Sequence, residues 1–232
     1  MLAMKVSKLE ISLENKTLVA IDFAIESSLA LVGQSGSGKS LTLKALLGML
    51  PAKMACELEV QSDFTLRAGE SVSFVPQNPF TALSPLTKIK KQFFVDEARV
   101  AELFASVGLE PSLLERFSPE LSGGQLQRVI IAMALEANPK LVMLDEPTTA
   151  LDPQTRVMIL ELLKRLQKEY GFKILFVTHD IVAASSLCED ICVIKEGRVV
   201  ESGKLQEVLR NPKSEYTKVL IASNFASREF RT

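Results

Sequence analysis

The sequence has little from which to build a membrane span. Its longest unbroken apolar run, Val129 to Leu135, is seven residues, against about 20 for a helix that crosses a bilayer. The N-terminal segment meets charge at Lys5 and never accumulates the apolar stretch of a signal peptide. The expectation is a chain that neither crosses a membrane nor is exported by that route. Cysteine is scarce. Cys56, Cys188 and Cys192 form an odd set with no CxxC pair, which argues against structural disulfides and fits a reducing compartment. Cys188 and Cys192 have no histidine near them, so they read as buried small side chains rather than metal ligands. Charge of one sign is missing too. Lys+Arg number 27 against 28 Asp+Glu, a net charge of −1, which gives no global reason to bind nucleic acid or acidic lipid.

What is present is an ordinary globular mix of 47% hydrophobic and 24% charged residues over 232 positions, enough for one large domain or one domain with an insertion. Mean hydropathy is +0.19, consistent with a large core or with protein interfaces. Alternation at Val6, Leu9, Ile11 and Leu13, then at Leu18, Ala20, Ile21 and Phe23, predicts two strands around the polar turn Glu14-Asn15-Lys16. Leu29 to Val32 reads as a buried strand ending at Gly33. Helical spacing over Leu41 to Leu50 stops at Pro51. Strand-like alternation returns over 57–76, and composition turns helical from Pro85 to Leu121. Two strand–helix units follow, Leu141–Leu144 before a helix from about Pro153 to Tyr170, and Ile174–Val177 before a helix from about Ile181. Ile191–Ile194 and Val199-Val200 read as a hairpin around Glu196-Gly197, and the end is helical over Lys204–Leu209 and Ser214–Ser223. Strands alternating with helices imply a mainly parallel sheet covered on both faces.

Gly33-Gln34-Ser35-Gly36-Ser37-Gly38-Lys39-Ser40 matches G-x-x-x-x-G-K-[ST], with a buried strand leading in and a helix leading out. Glycines let such a loop curl its N–H groups around phosphate oxygens, and the helix adds its positive N-terminal end. Lys39 is placed to reach β- and γ-phosphates and the Ser40 hydroxyl to ligate Mg²⁺. Asp145 and Glu146 close the apolar run Leu141–Leu144. Alone they read as well as a helix N-cap pair. Beside a phosphate loop, Asp145 is a candidate Mg²⁺ ligand and Glu146 a candidate for polarising the attacking water. The single histidine, His179, also follows an apolar strand, at the edge where open α/β sheets hold ligands.

Leu121-Ser122-Gly123-Gly124-Gln125-Leu126-Gln127-Arg128 supplies a second helix N-terminus suited to an anion. It resembles the LSGGQ signature of ATP-binding cassette (ABC) ATPases. Pro76-Gln77 resembles the Q-loop, Ala150-Leu151-Asp152 the D-loop and His179 the switch histidine, all in family order, from residue 5 to about 225. The resemblance implies an α/β fold. It comprises a P-loop NTPase (RecA-like) core with a mainly parallel sheet, an N-terminal antiparallel β subdomain and a small α-helical subdomain. One domain over 1–232 is expected, with the helical insertion at about 80–135 and a C-terminal helical tail at about 204–232.

The resemblance also implies ATP and Mg²⁺ as cofactors. It gives Gln77 a Mg²⁺ contact and His179 a γ-phosphate contact. Leu121, Ser122, Gly123, Gly124 and Gln125 are implied to face ATP on a second, unlike ATPase subunit in a head-to-tail pair, with Asp152 in the D-loop. Catalytic work falls on Lys39, Glu146 and His179. Two membrane permease subunits, an extracytoplasmic solute-binding protein acting indirectly and a peripheral place on the cytoplasmic face of the membrane are implied as partners and location. No nucleic acid is implied.

Within the family, Pro76 to Leu86 and Asn211 to Leu220 look like stretches of dipeptide, oligopeptide and nickel importers. The run Gly33 to Pro51 and the short chain resemble the D-type ATPase subunit of nickel importers. The expected cargo is nickel or a nickel chelate, with a dipeptide or oligopeptide as the alternative and a soluble non-transport ABC ATPase as a further one. Three features depart from the family pattern. Residues 10–22 hold no aromatic to stack on adenine, and Phe23 fits a core strand. Ser27-Ser28 replaces the usual Gly-Glu. The stretch between Q-loop and signature is short.

Overall fold

The computed structural model describes residues 2–229, with side chains through residue 224. Met1 and residues 230–232, which belong to the expected domain and tail, lie outside the described residues. In chain order the strands are β1 (Met4–Leu13), β2 (Lys16–Ile25), β3 (Ser28–Val32), β4 (Met54–Gln61), β5 (Val72–Val75), β6 (Leu141–Asp145), β7 (Lys173–Thr178), β8 (Asp190–Lys195) and β9 (Arg198–Lys204). The α-helices are α1 (Lys39–Leu46), α2 (Glu97–Ser106), α3 (Gly123–Ala134), α4 (Pro153–Tyr170), α5 (Ile181–Leu187), α6 (Leu205–Arg210) and α7 (Glu215–Glu229). The chain forms two compact units, Met1–Leu66 with Lys173–Thr232, and Arg67–Phe172.

In the first unit the strand order is β4-β1-β2-β9-β8-β3-β7. β1 pairs antiparallel with β2 and β4, the expected N-terminal antiparallel part. Every residue of β3 and β7 is buried, and β3 pairs parallel with both β7 and β8. Ile174, Leu175, Phe176 and Val177 are each 0% exposed, and burying one such side chain contributes about 1.5–3 kcal/mol. Two buried faces explain why these strands read as unbroken apolar runs. The β8–β9 hairpin turns at Glu196 and Gly197, with φ of 49° and 74°, the paired left-handed residues that match strand twist. Cys188 and Cys192 are buried and free, as the sequence suggests, and Cys56 is exposed.

Helix α1 stops at Leu46 rather than Leu50. Gly48 takes φ of 68°, Met49 N–H bonds Lys44 O at 2.8 Å and Gly48 N–H bonds Ala45 O at 3.0 Å. This pair of bonds ends the helix before Pro51 has any effect.

In the second unit β5 and β6 pair parallel, Val75 opposite Leu144. Between them, residues 85–121 are less helical than their composition suggests. Only α2 is α-helical there, and the rest forms short 3₁₀ turns at Ile89–Gln92, Pro111–Glu115 and Ser118–Glu120. Pro85, Pro111 and Pro119 each lack a backbone donor, and each interrupts the ladder that composition alone would favour. Helix α4 is framed as expected. Asp152 caps it by accepting from Gln154 N and Thr155 N at 3.1 and 3.0 Å, and it ends at Gly171 with φ of 72°.

Candidate nucleotide-binding site

In the first unit, the phosphate-loop sequence and the histidine leave neighbouring strands at one edge. Val32, the last residue of β3, is paired with Thr178, the last of β7. Gly33 and His179 are the next residues on each chain segment, so the parallel register alone brings them to the same end of the sheet. His179 is exposed. The loop runs from Gly33 into α1, and Lys39 is 7% exposed. Its Nζ donates to Gly33 O at 2.7 Å and Gln34 O at 3.0 Å, so the ammonium lies against the loop it would share with a phosphate. Gly33 is required by space, since a Cβ there would lie 2.3 Å from Ile194 O and 2.6 Å from Ser37 Oγ. The hairpin turn supports the loop from behind. Gly197 N–H donates to Ser37 O at 3.0 Å, and Gly197 O accepts from Ala20 N at 2.7 Å.

In the second unit the carboxyl ends of β5 and β6 lead to Gln77 and to Asp145-Glu146. Gln77 Nε2 donates to Glu146 Oε2 at 3.2 Å. The same oxygen accepts from Thr149 Oγ1 at 3.1 Å. Glu146 itself has φ of 45°, an uncommon conformation for a side chain-bearing residue that concentrates at functional sites. Asp145 and Glu146 are both half-buried and Gln77 is exposed. Ser40, Gln77 and Asp145 carry hydroxyl, carboxamide and carboxylate oxygens, the hard donors Mg²⁺ takes. Among the described residues no group of three or more His, Cys, Asp or Glu could hold a metal.

The signature residues begin α3. Ser122 Oγ accepts from Gln125 N at 3.3 Å and Gln125 Oε1 accepts from Ser122 N at 3.0 Å, a reciprocal capping box. Leu121 is buried beneath the turn. A Cβ on Gly124 would stand 2.7 Å from Thr155 Cγ2, so this glycine also serves the packing of α3 on the start of α4. A Cβ on Gly123 would be in ordinary contact with Leu151, 3.6 Å from its Cδ2. The signature and D-loop share a groove of about 610 Å³ whose lining includes Ser122, Gly124, Arg128, Asp152, Thr155 and Arg165. Hydrogen bonds from the Thr155 hydroxyl, and from the Thr155 and Gln154 amides, hold the Asp152 carboxyl below the ordinary aspartate range.

Three supporting residues escaped the sequence reading. Thr149 bonds the Glu146 carboxylate. Arg128 bonds Gly124 O at 3.3 Å and Gly108 O at 2.9 Å. Tyr216 Oη accepts from Gln34 N at 3.0 Å. Arg128 and Tyr216 each lie in a stretch singled out by motif, and Thr149 lies three residues beyond one, but their roles depend on contacts that spacing does not encode.

Residues 18–149 match the ABC transporter family. The chain belongs to that family. It is 37% identical over 88% of its length to the peptidoglycan transport ATP-binding protein YejF of Agrobacterium fabrum, covering 42% of that protein. It is 35% identical over 90% of its length to the oligopeptide transport ATP-binding protein OppD of Bacillus subtilis, covering 67% of it. The chain thus spans less than half of one such relative and about two thirds of another. Its fold matches cbiO1 of Clostridium perfringens, part of the ABC transporter complex cbiONQ, with a TM-score of 0.78, 29% identity and 90% of each chain covered. Phe23 is 7% exposed within β2, a core residue as the sequence suggests.

Proposed function

We propose that this chain is the ATP-binding subunit of an ABC importer and hydrolyses ATP to drive uptake through partner membrane permeases. The observation that carries the reading is the phosphate loop itself, a glycine-cleared turn with the Lys39 ammonium buried against its own carbonyls. Gly33 to Ser40 cradles the phosphates. Lys39 neutralises charge that grows on the β- and γ-oxygens. Ser40, Gln77 and Asp145 offer oxygens to Mg²⁺, which when bound adds charge stabilisation on the phosphates. Glu146 accepts the attacking water's proton and His179 orients the γ-phosphate side. Gln77 and Thr149 both donate to Glu146 Oε2 and so fix the orientation of the carboxylate, which keeps a second oxygen with which to take that proton.

The Leu121–Gln125 segment and Asp152 serve a second ATPase subunit packed head to tail, in keeping with the groove that Ser122, Gly123, Gly124 and Asp152 line. That subunit is an unlike relative. Permease docking is supported by the second unit's apolar exposure, Phe94 at 92% and Leu86 at 87%, side chains that a partner would cover. No helix among the described residues is long and apolar enough to cross a membrane. The chain acts at the cytoplasmic face as a peripheral subunit.

The names carried by the relatives favour a peptide-type cargo. Nickel or a nickel chelate rests on the narrower likeness of Gly33 to Pro51. Glu146→Gln tests the enzyme reading: hydrolysis is expected to fall about 10²- to 10⁴-fold while ATP-dependent association, read by light scattering, persists. Unchanged turnover removes Glu146 from its role. In reconstituted vesicles, stimulation by peptides and not by nickel supports the peptide cargo, and the reverse supports nickel.

A further inference from the structure

The C-terminal stretch Asn211 to Leu220 has no part in the function proposed above, yet one of its side chains touches the phosphate loop. Glu201 fixes where α7 begins, its carboxylate accepting from Lys213 N at 2.8 Å and Ser214 N at 3.0 Å. Thr217 and Leu220 are buried on the helix's inner face. With the helix start so fixed, Tyr216 is half-buried beside the loop. Its hydroxyl accepts the Gln34 N–H at 3.0 Å. The Lys195 ammonium stands 5.4 Å from the centre of its ring, within range of a cation–π attraction.

The Gly33–Gln34 segment is therefore gripped from two directions. Lys39 Nζ binds the carbonyls of Gly33 and Gln34, and Tyr216 binds the amide of Gln34. Gln34 O also accepts from Ser37 N at 3.2 Å. When Lys39 turns to a phosphate, the first grip loosens and the Tyr216 bond remains. We propose that Tyr216 is a positioning residue for the phosphate loop, through which α7 and the Lys195 turn set nucleotide affinity. This rests on the reading that Gly33 to Ser40 binds a triphosphate.

The test is Tyr216→Phe in the full chain, which keeps the ring and its place under Lys195 and removes only the oxygen. Lys39→Ala and wild type run beside it. Three quantities are read: MgATP affinity by titration calorimetry, amide hydrogen exchange of the loop peptide without nucleotide, and the unfolding midpoint. The Gln34 amide is at an exposed residue where water can replace the tyrosine, so a loss of affinity of about three- to tenfold is expected. Loop exchange quickens and the midpoint hardly moves. Unchanged exchange and affinity overturn the proposal, as does a lowered midpoint with affinity intact, which marks a merely structural contact. If wild type and Lys39→Ala bind MgATP equally or not at all, the nucleotide reading fails, and loop exchange still decides whether Tyr216 holds the loop. Should Tyr216→Phe not fold, Lys195→Gln frees the ring from above, and the same faster exchange is expected.

Discussion

Gly197→Ala is the sharpest structural perturbation available, because it strikes the turn that backs the phosphate loop. Gly197 has φ of 74°, and an added Cβ would lie 2.0 Å from Leu18 O and 2.8 Å from Leu18 C. The left-handed conformation alone costs about 1–2 kcal/mol for a residue with a Cβ. The clash is with backbone, which cannot rotate away, so the turn must withdraw from β2. Withdrawal breaks Ala20 N to Gly197 O, 2.7 Å, and Gly197 N to Ser37 O, 3.0 Å, each worth about 0.5–1.5 kcal/mol. The sum is about 2–5 kcal/mol. Gly48→Ala is the control, with φ of 68° and nothing within 4 Å of the new Cβ, and it should cost only the conformational part. Urea unfolding followed by far-UV circular dichroism compares the two. Gly197→Ala should also bind MgATP more weakly than Gly48→Ala, since Ser37 loses its support. Equal losses of stability in the two variants would refute the argument that backbone contact at the turn, rather than dihedral preference, makes this glycine necessary.

Thr149→Val removes the hydroxyl from Glu146 Oε2 while keeping the side chain's shape, and kcat should fall about three- to tenfold with KM little changed. Steady-state ATP hydrolysis checks it, and a change in KM alone would assign Thr149 to binding. The thiols give a pH prediction. Burial pushes the Cys192 thiol up to about 12, with Asp22 adding to it, and burial raises Cys188 further still. Above the ordinary thiol pKa of 9.0 the unfolded chain releases protons that the folded chain keeps. The thiols' contribution to stability should therefore be constant below about pH 8 and fall as pH rises toward 12. Urea midpoints across that range check the sign, and Cys188→Ala/Cys192→Ala should flatten the decline. At pH 8 a thiol reagent should label Cys56 first and reach the two buried thiols only on unfolding; early labelling of Cys192 would contradict its burial.

Local chemistry made much of the architecture legible. Leu29–Val32 of β3 and Ile174–Val177 of β7 are unbroken apolar runs because both faces are covered, and Glu196-Gly197 marks its hairpin because two adjacent left-handed residues are needed there. The phosphate loop is equally local. Residues 85–121 misled because composition reports helix preference while three prolines and Gly108 decide where a ladder can run. The end of α1 misled because Gly48, a small residue within an apolar stretch, terminates it before the visible Pro51. Gln77 and Glu146 could be placed by family order, but their mutual bond could not, since 69 residues separate them. Tyr216 is the extreme case. It reaches Gln34 across 182 residues, and nothing in periodicity links a C-terminal helix to the first turn of a phosphate loop.

The central claim is that Lys39 and its loop bind and turn over MgATP as part of a transport machine. The direct measurement is MgATP hydrolysis by the wild-type chain and by Lys39→Ala, alone and then reconstituted in membranes with a partner ATPase subunit and permeases. The account predicts slow turnover alone, a rise when the partners complete the assembly, and loss of that turnover in Lys39→Ala. Turnover in the assembled complex that is absent in wild type, or undiminished in Lys39→Ala, would contradict it.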